Sequence, residues 1–155
     1  MSLGATVLLL LGLAVLWQLF RAVRRSRSSR TSRADPVYNL EGTGEYALEI
    51  VGESHYQRAL ERICGGRKRD SVEKLVQASV VLEDENQHDD QAVRIDIDGM
   101  TVGYLPRHVA RIYRLRLKEL GHPRIVGVCN AVIRGGWDRG AHDRGHFGVW
   151  LDIPR

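Results

Sequence analysis

Residues 84–110 read DENQHDDQAVRIDIDGMTVGYLPRHVA, and this stretch decides the fold. An acidic, amide-rich loop comes first, and apolar and polar residues then alternate over residues 93–97, as in a half-buried strand. Asp98-Gly99 supplies the two positive-φ positions of a tight hairpin turn. The return strand carries Val102-Gly103-Tyr104, and Leu105-Pro106 ends it and opens a helix. The stretch therefore predicts a loop, a β-hairpin and a helix start in a fixed order.

This order resembles the HIRAN family, whose signature runs roughly Asn-Pro-Tyr-Asp, three residues, a Val-rich hairpin, and then Val-Gly-His or Val-Gly-Tyr-Leu. The matching positions in this chain are Asn86, His88, Asp89, Ala92, Val93, Gly99, Val102, Gly103, Tyr104, Leu105 and Ala110. Gln87 and His88 stand where the family has Pro and Tyr, and the carboxylate of Asp89 is kept. The resemblance covers about residues 46–154 and implies a modified β-barrel related to oligonucleotide-binding folds.

The rest of the globular part supplies further strands and two short helices. Apolar periodicity predicts strands at 46–50, 75–82, 125–133 and 146–153. Ser54 with Gln57 predicts a capping box for the first helix. The second helix follows Pro106, with an apolar face of Val109, Ile112, Tyr113, Leu117 and Leu120. The predicted fold class is mainly β with two short helices: a small, modified OB-like barrel of about six strands, preceded by one transmembrane helix.

The N-terminal segment predicts a membrane anchor. Residues 3–20 hold no charge, and at 1.5 Å rise per residue they give roughly 27 Å, close to the ~30 Å hydrocarbon core. Six arginines follow within residues 21–33, which the positive-inside rule keeps in the cytoplasm. A cleaved signal peptide needs a basic region before the apolar run and small residues after it, and this chain has neither.

The predicted organisation is therefore a transmembrane helix at 3–20, a basic flexible linker at 21–45 and a HIRAN-like domain at 46–154. The chain would be a single-pass membrane protein with its N-terminus outside and its C-terminal domain in the cytoplasm. Residues 3–33 would contact membrane lipid. Cys64 and Cys129 stand in no paired motif, which favours two buried thiols over a disulfide.

The net charge of +4 belongs to the N-terminal segment. Residues 1–35 hold six of the 23 basic residues and one of the 19 acidic residues, so the remainder carries 17 basic and 18 acidic residues, a net of −1. A nucleic-acid site on the domain must therefore be a local patch and not the field of the whole domain.

HIRAN domains capture the 3′ end of single-stranded DNA, and the resemblance implies a site that combines three chemistries. Aromatic faces stack bases, a carboxylate accepts from the terminal hydroxyl, and donors hold phosphate. A basic stripe on the second helix adds further donors. The candidate nucleic-acid-binding residues are Ser54, His55, Tyr56, His88, Asp89, Tyr104, Phe147, Arg107, Arg111 and Arg114.

Each of these candidate residues also has an alternative interpretation in which its role is structural. Asp89 and Asn86 are also suited to capping the loop backbone, and Tyr104 to a half-buried hairpin position. Tyr56 and Phe147 fit the apolar core. The helical arginines fit a solvated face. The Gly-rich loop 135–145 fits either a binding loop in which Trp137 stacks a base or a long hairpin tip.

The sequence contains none of the common catalytic or metal-binding motifs. There is no phosphate-binding loop ending in Gly-Lys-Ser/Thr, no HExxH and no nucleophile elbow, and His142 and His146 have no third ligand at suitable spacing. The chain is predicted to be a binding protein without enzymatic activity, metal or cofactor. Its expected partner is single-stranded nucleic acid. The alternative is a membrane-anchored protein-interaction module, with an unidentified protein partner, that keeps the HIRAN fold without DNA binding.

The first prediction concerns topology. Protease protection or cysteine labelling on intact cells should find the C-terminal domain shielded from outside reagents, because the arginines at 21–33 follow the apolar run. Labelling of the domain from the external side would contradict both the orientation and a cytoplasmic DNA ligand.

Overall fold

The structure, a computed structural model, describes residues 37–154. Its strands are β1 (Val37–Asn39), β2 (Leu48–Glu49), β3 (Val72–Leu82), β4 (Val93–Ile97), β5 (Met100–Tyr104), β6 (Val126–Gly135) and β7 (Phe147–Asp152). A 3₁₀ turn (Glu53–His55) precedes helix α1 (Gln57–Cys64), and helix α2 (Arg107–Glu119) joins β5 to β6. None of the helices formed by residues 37–154 is long and apolar enough to cross a bilayer. The transmembrane helix predicted at 3–20 lies outside the described residues.

The sheet is curled and its two edges meet. The strand order is β2-β7-β6-β3-β4-β5, with β1 pairing in parallel to β6. Just beyond β2, the N–H of Val51 donates to the carbonyl of Tyr104 at 2.8 Å, and the N–H of Tyr104 donates back to Val51 at 2.9 Å. This pair joins the first strand of the path to the last. The predicted mainly-β fold with two short helices and about six curled strands is confirmed.

Gly103 allows this close approach. A Cβ at Gly103 would lie 2.7 Å from the carbonyl oxygen of Val51 and 2.7 Å from Cδ1 of Ile50. Such distances are below contact between non-bonded atoms, so any larger residue would push the two edges apart.

The hairpin forms where the sequence predicts it. Asp98 and Gly99 have φ values of 51° and 72°, the left-handed conformation of a two-residue turn. Along β4, Val93, Ile95 and Ile97 are buried and the residues between them are half-buried. The prediction of this turn and its alternation is confirmed.

The core fills the interior of the curled sheet and extends under the two helices. Leu60 and Ile63 of α1 and Ala110 and Leu117 of α2 face it. The largest fully buried side chains include Phe147, Ile50, Leu60, Ile95, Ile97, Ile133 and Leu151. Cys64 is half-buried and Cys129 buried, and both are free thiols as predicted. Burial raises the pKa of the Cys129 thiol to about 12, so it stays protonated at neutral pH.

Ordered structure begins earlier than the predicted boundary at residue 46. Strand β1, inside the predicted linker 21–45, pairs with Val126–Val128 of β6, and Leu40 packs against the core. The N–H of Gly44 donates to the buried carboxylate of Asp152 at 2.9 Å. Sequence reasoning missed β1 because it is a short run next to an arginine-rich segment. Its pairing partner is a strand almost ninety residues later in the chain.

Two helix predictions are corrected. Ser54 makes no side-chain cap on α1, and Gln57 instead accepts from the N–H of Phe147 and donates to its carbonyl, both at 2.9 Å. Gln57 thereby pairs with the backbone of β7 as a neighbouring strand would. On α2, Leu117 is buried and Val109 and Tyr113 pack against the core as predicted, whereas Ile112 and Leu120 of the predicted apolar face are 63% and 58% exposed.

The second prediction tests the boundary with two fragments. Residues 35–155 should give a soluble monomer that melts cooperatively, because the described core lies entirely within them. Residues 46–155 lack β1, Leu40 and the Gly44 donor to Asp152, so their free energy of unfolding should be lower by at least about 2 kcal/mol. Urea unfolding followed by circular dichroism measures both. Equal stabilities would show that residues 35–45 add nothing to the fold.

Candidate functional site

A groove of about 410 Å³ lies between the 3₁₀ turn, the end of β5, the start of α2 and the loop of residues 83–92, here called the signature loop. The groove brings together six of the ten predicted residues from three separate stretches of chain. They are His55, Tyr56, His88, Asp89, Tyr104 and Arg107. Closure of the sheet at Val51 and Tyr104 places the 3₁₀ turn beside the signature loop.

Two tyrosines form the aromatic part of the groove. The ring centroids of Tyr56 and Tyr104 are 6.3 Å apart and the rings are tilted by 52°, and both side chains are half-buried. Burial raises the pKa of Tyr104, and the neighbouring Tyr56 and Glu83 add to the shift. The Tyr104 hydroxyl therefore stays protonated, and the two rings give the groove an aromatic surface.

Asn86 and Asp89 cap the signature loop. The side-chain oxygen of Asn86 accepts from the N–H groups of His88 at 2.9 Å and Asp89 at 3.1 Å. Oδ1 of Asp89 accepts from the N–H of Gln91 at 3.0 Å. The second carboxylate oxygen, Oδ2, lies 3.4 Å from Nε of Arg107, whose side chain is 73% exposed. Asp89 therefore supports the loop with one oxygen and presents the other, with Arg107, at the groove.

A charged network under the loop was not predicted from the sequence. Arg94 contacts Glu83 and Asp96, each at 2.9 Å, and Glu83 accepts from the side-chain amide of Asn86 at 2.7 Å. Burial alone would raise the pKa of Glu83, but hydrogen bonds from Asn86 and Arg94 lower it below its usual value. The sequence feature that could have indicated this network is the pair Arg94 and Asp96, which are two residues apart and therefore on the same face of a strand with opposite charges.

Arg114 has a different role from the predicted phosphate contact. Its guanidinium donates to the carbonyls of Gln91 at 2.9 Å and Ala92 at 2.7 Å, and to the carboxylate of Asp84 at 2.6 Å. Only 14% of its side chain is exposed. Arg114 therefore fastens the signature loop to α2 and has little surface left for a ligand.

Arg107 and Arg111 are the members of the basic stripe that adjoin the groove. They line a shallow depression of about 350 Å³ together with His88 and Asp89. Both arginines are exposed. The groove and this depression share Asn86, His88, Asp89 and Arg107, and the depression is also lined by the acidic residue Asp90.

Ser54 and Phe147 lie in a second groove, of about 520 Å³, on the other side of the 3₁₀ turn. Phe147 is 1% exposed and its ring packs under the guanidinium of Arg67, 5.2 Å from the ring centroid, so it belongs to the core and not to a stacking surface. Trp137 and Trp150 also line this groove, and Arg134 lies 5.5 Å from the Trp150 ring. Sequence reasoning did not place Trp150 or Arg134 in any site.

The loop 135–145 is a hairpin tip closed on itself. The indole N–H of Trp137 donates to Asp143 at 2.7 Å, and Arg144 pairs with Asp138 at 2.9 Å. The Trp137 ring covers Gly145, where a Cβ would lie 2.2 Å from it. Of the two interpretations left open for this loop, the hairpin tip describes the observed contacts. No three His, Cys, Asp or Glu side chains among residues 37–154 are grouped to hold a metal ion.

Comparison of the chain with protein-family models, curated proteins and solved structures gives no match. An aromatic pair, an oriented carboxylate and the exposed guanidinium of Arg107 can stack a planar ring, accept a hydrogen bond and contact an anion within one groove, with Arg111 in the adjoining depression.

The third prediction separates the two arginines of α2. Replacing Arg114 with Ala should lower the free energy of unfolding by about 1–3 kcal/mol, because the signature loop loses three hydrogen bonds. Amide hydrogen exchange over residues 84–92 should accelerate. Arg111→Ala is the matched control on the same helix and should change neither quantity, since Arg111 is exposed. Unchanged exchange in Arg114→Ala would rule out the fastening role.

Proposed function

We propose that the groove beside the signature loop binds single-stranded nucleic acid, with a free 3′ end as its preferred feature. The observation that carries the proposal is the convergence of Tyr56, Tyr104, Asp89 and Arg107 on one groove from distant parts of the chain. These groups supply the three chemistries that an end of a strand requires: stacking, a hydroxyl acceptor and a phosphate contact.

The tyrosines would stack the terminal base. Base–aromatic stacking tolerates any sequence, because every base has a π-face. The tilt of 52° between the rings excludes a parallel clamp around one base, so a single ring would carry most of the stacking. Tyr104 is the better placed, since its backbone is fixed on both sides by the pair with Val51.

Asp89 and Arg107 would read the end of the strand. The carboxylate accepts a hydrogen bond from a free 3′ hydroxyl and repels a 3′ phosphate, whereas Arg107 and Arg111 contact the preceding phosphates. The exposed Arg107 is paired only loosely with Asp89, so it can turn towards a phosphate at small energetic cost. With few phosphate contacts and a domain charge near zero, binding should be weak and moderately salt-dependent.

The wider proposal places this domain in the HIRAN family and on the membrane. The curled mainly-β sheet is compatible with an OB-like barrel, and the signature residues Asn86 and Asp89 make the loop-capping contacts. Residues 3–20 would span the bilayer, residues 3–33 would contact lipid, and the domain would act in the cytoplasm as a binding module without catalysis.

A protein ligand is the second candidate. The observation in its favour is the balance of charge at the groove, where the Arg107 cation faces the Asp89 carboxylate and the acidic residues Asp84, Glu85 and Asp90 lie on the same loop. An acidic loop repels a polyanion and suits a peptide with basic residues.

The fourth prediction tests the proposed ligand by fluorescence anisotropy. Short single-stranded DNA with a 3′ hydroxyl should bind residues 35–155 with micromolar or weaker affinity, and more tightly than the same oligonucleotide with a 3′ phosphate. Asp89→Asn should reduce that preference, because Asn keeps the cap on Gln91 but loses the charge. Tyr104→Ala should weaken both ligands by about 1–3 kcal/mol.

Tyr104→Phe is the matched control, since it keeps the ring and should retain most of the affinity. Leu75→Ala, on an exposed position of β3, should bind like the unmodified domain. Absence of binding at low salt by a folded sample would reject nucleic acid as the ligand and favour the protein-interaction alternative.

A further inference from the structure

Helix α2 leaves two large aliphatic side chains on its outer surface. Ile112 is 63% exposed and Leu115 is 57% exposed, whereas Ala110 and Leu117 are buried against the sheet. At about 100° per residue, Ile112 and Leu115 project away from the buried pair. Neighbouring exposed aliphatic side chains on a regular helix mark a contact surface more often than isolated ones do.

Basic side chains flank this apolar ridge on both sides. Lys118 lies along one side and Arg116 along the other, and both are exposed. Helix α2 carries five Arg and Lys residues and a single acidic residue, Glu119, which follows Leu115 by four positions and lies on the same face at the end of the helix. An apolar ridge between two basic margins is the pattern of a helix that lies in the interface of an anionic membrane.

The chain enters the domain beside this helix. Strand β1 begins at Val37 and pairs with Val126, a few residues after α2 ends. Leu40 and the hydroxyl of Tyr113 approach the same glycine, Gly127, at 2.8 and 2.5 Å from its Cβ position. Strand β1 and helix α2 therefore meet at Gly127, and the described chain begins next to this helix.

We propose that the outer face of α2 lies on an anionic lipid surface, with Ile112 and Leu115 entering the headgroup boundary and Arg116 and Lys118 contacting lipid phosphates. The inference rests on the proposed membrane attachment and is independent of the proposed nucleic-acid ligand. Arg107 and Arg114 face the groove and the signature loop, so they are turned away from the lipid-facing ridge. The contact would fix the orientation of the domain on the membrane. In this orientation the groove beside the signature loop would not face the lipid.

Vesicle co-sedimentation of residues 35–155 tests the contact without the N-terminal segment. Vesicles of phosphatidylcholine with phosphatidylserine should bind the domain, vesicles of phosphatidylcholine alone should bind it weakly, and added salt should reduce binding. Ile112→Gln with Leu115→Gln should lower the partition coefficient on the order of tenfold. Leu75→Gln is the matched control, because Leu75 is 67% exposed on β3, and it should leave binding unchanged.

Charge is tested separately. Arg116→Glu with Lys118→Glu should abolish the preference for anionic vesicles, whereas Arg58→Glu, at an exposed position of α1, should lower binding only slightly. The Ile112/Leu115 variant should keep its affinity for single-stranded DNA. Loss of vesicle binding therefore reports on the lipid contact, whereas loss of DNA binding in the fluorescence anisotropy assay reports on the groove.

The full-length chain in proteoliposomes gives a second measurement. Because the unmodified chain already contains Trp17, Trp137 and Trp150, it serves as the reference. Brominated lipid should quench additional fluorescence in Leu115→Trp but not in Leu75→Trp. Equal quenching at both positions, or equal vesicle binding by the Ile112/Leu115 variant and the unmodified domain, would overturn the proposal. So would a dimer in analytical ultracentrifugation that the same variant converts to a monomer, because the ridge would then be a self-association surface.

Discussion

The reciprocal backbone pair between Val51 and Tyr104 is the contact on which the rest of the structure depends. It joins the edge of the sheet that begins with β2 to the edge that ends with β5, and it needs Gly103 to let Ile50 and Val51 approach. Two hydrogen bonds contribute modestly to stability. Their larger effect is geometric, since they bring the 3₁₀ turn to the signature loop and give Tyr104 a fixed backbone. Without them the 3₁₀ turn with Tyr56 would belong to one edge of an open sheet, and Tyr104 and the signature loop to the other.

Local rules were sufficient for the hairpin and for the loop caps. The turn at Asp98-Gly99 and the alternation along β4 follow from residue conformational preferences and burial, and both were predictable. Asn86 and Asp89 have short polar side chains whose oxygens accept hydrogen bonds from backbone N–H groups two or three residues later in the chain. The fold class was predictable for the same reason, because strand periods and turn residues are encoded within a few positions.

Contacts between distant residues were beyond sequence reasoning. Phe147 was assigned to the site although it is core, and Arg114 was assigned to phosphate although it holds the signature loop. Helical spacing gives the angle at which each side chain projects from the helix axis. It does not give the rotation of the helix against the sheet. The exposed Ile112 shows the same limit, since a small rotation of α2 decides whether an aliphatic side chain joins the core. The side chain of Gln57 makes two hydrogen bonds with the backbone of Phe147 in β7, and no local sequence pattern predicts this role.

The hydrogen bonds of Arg114 have a consequence for local opening of the domain. One side chain makes all three of them, and they link α2 to the signature loop. We therefore expect the signature loop to open at a lower free energy than the one that unfolds the sheet, where strands are joined by many backbone hydrogen bonds. A ligand that bridges Tyr104 and Asp89 would bind only the closed form, and so would stabilise the signature loop against this opening.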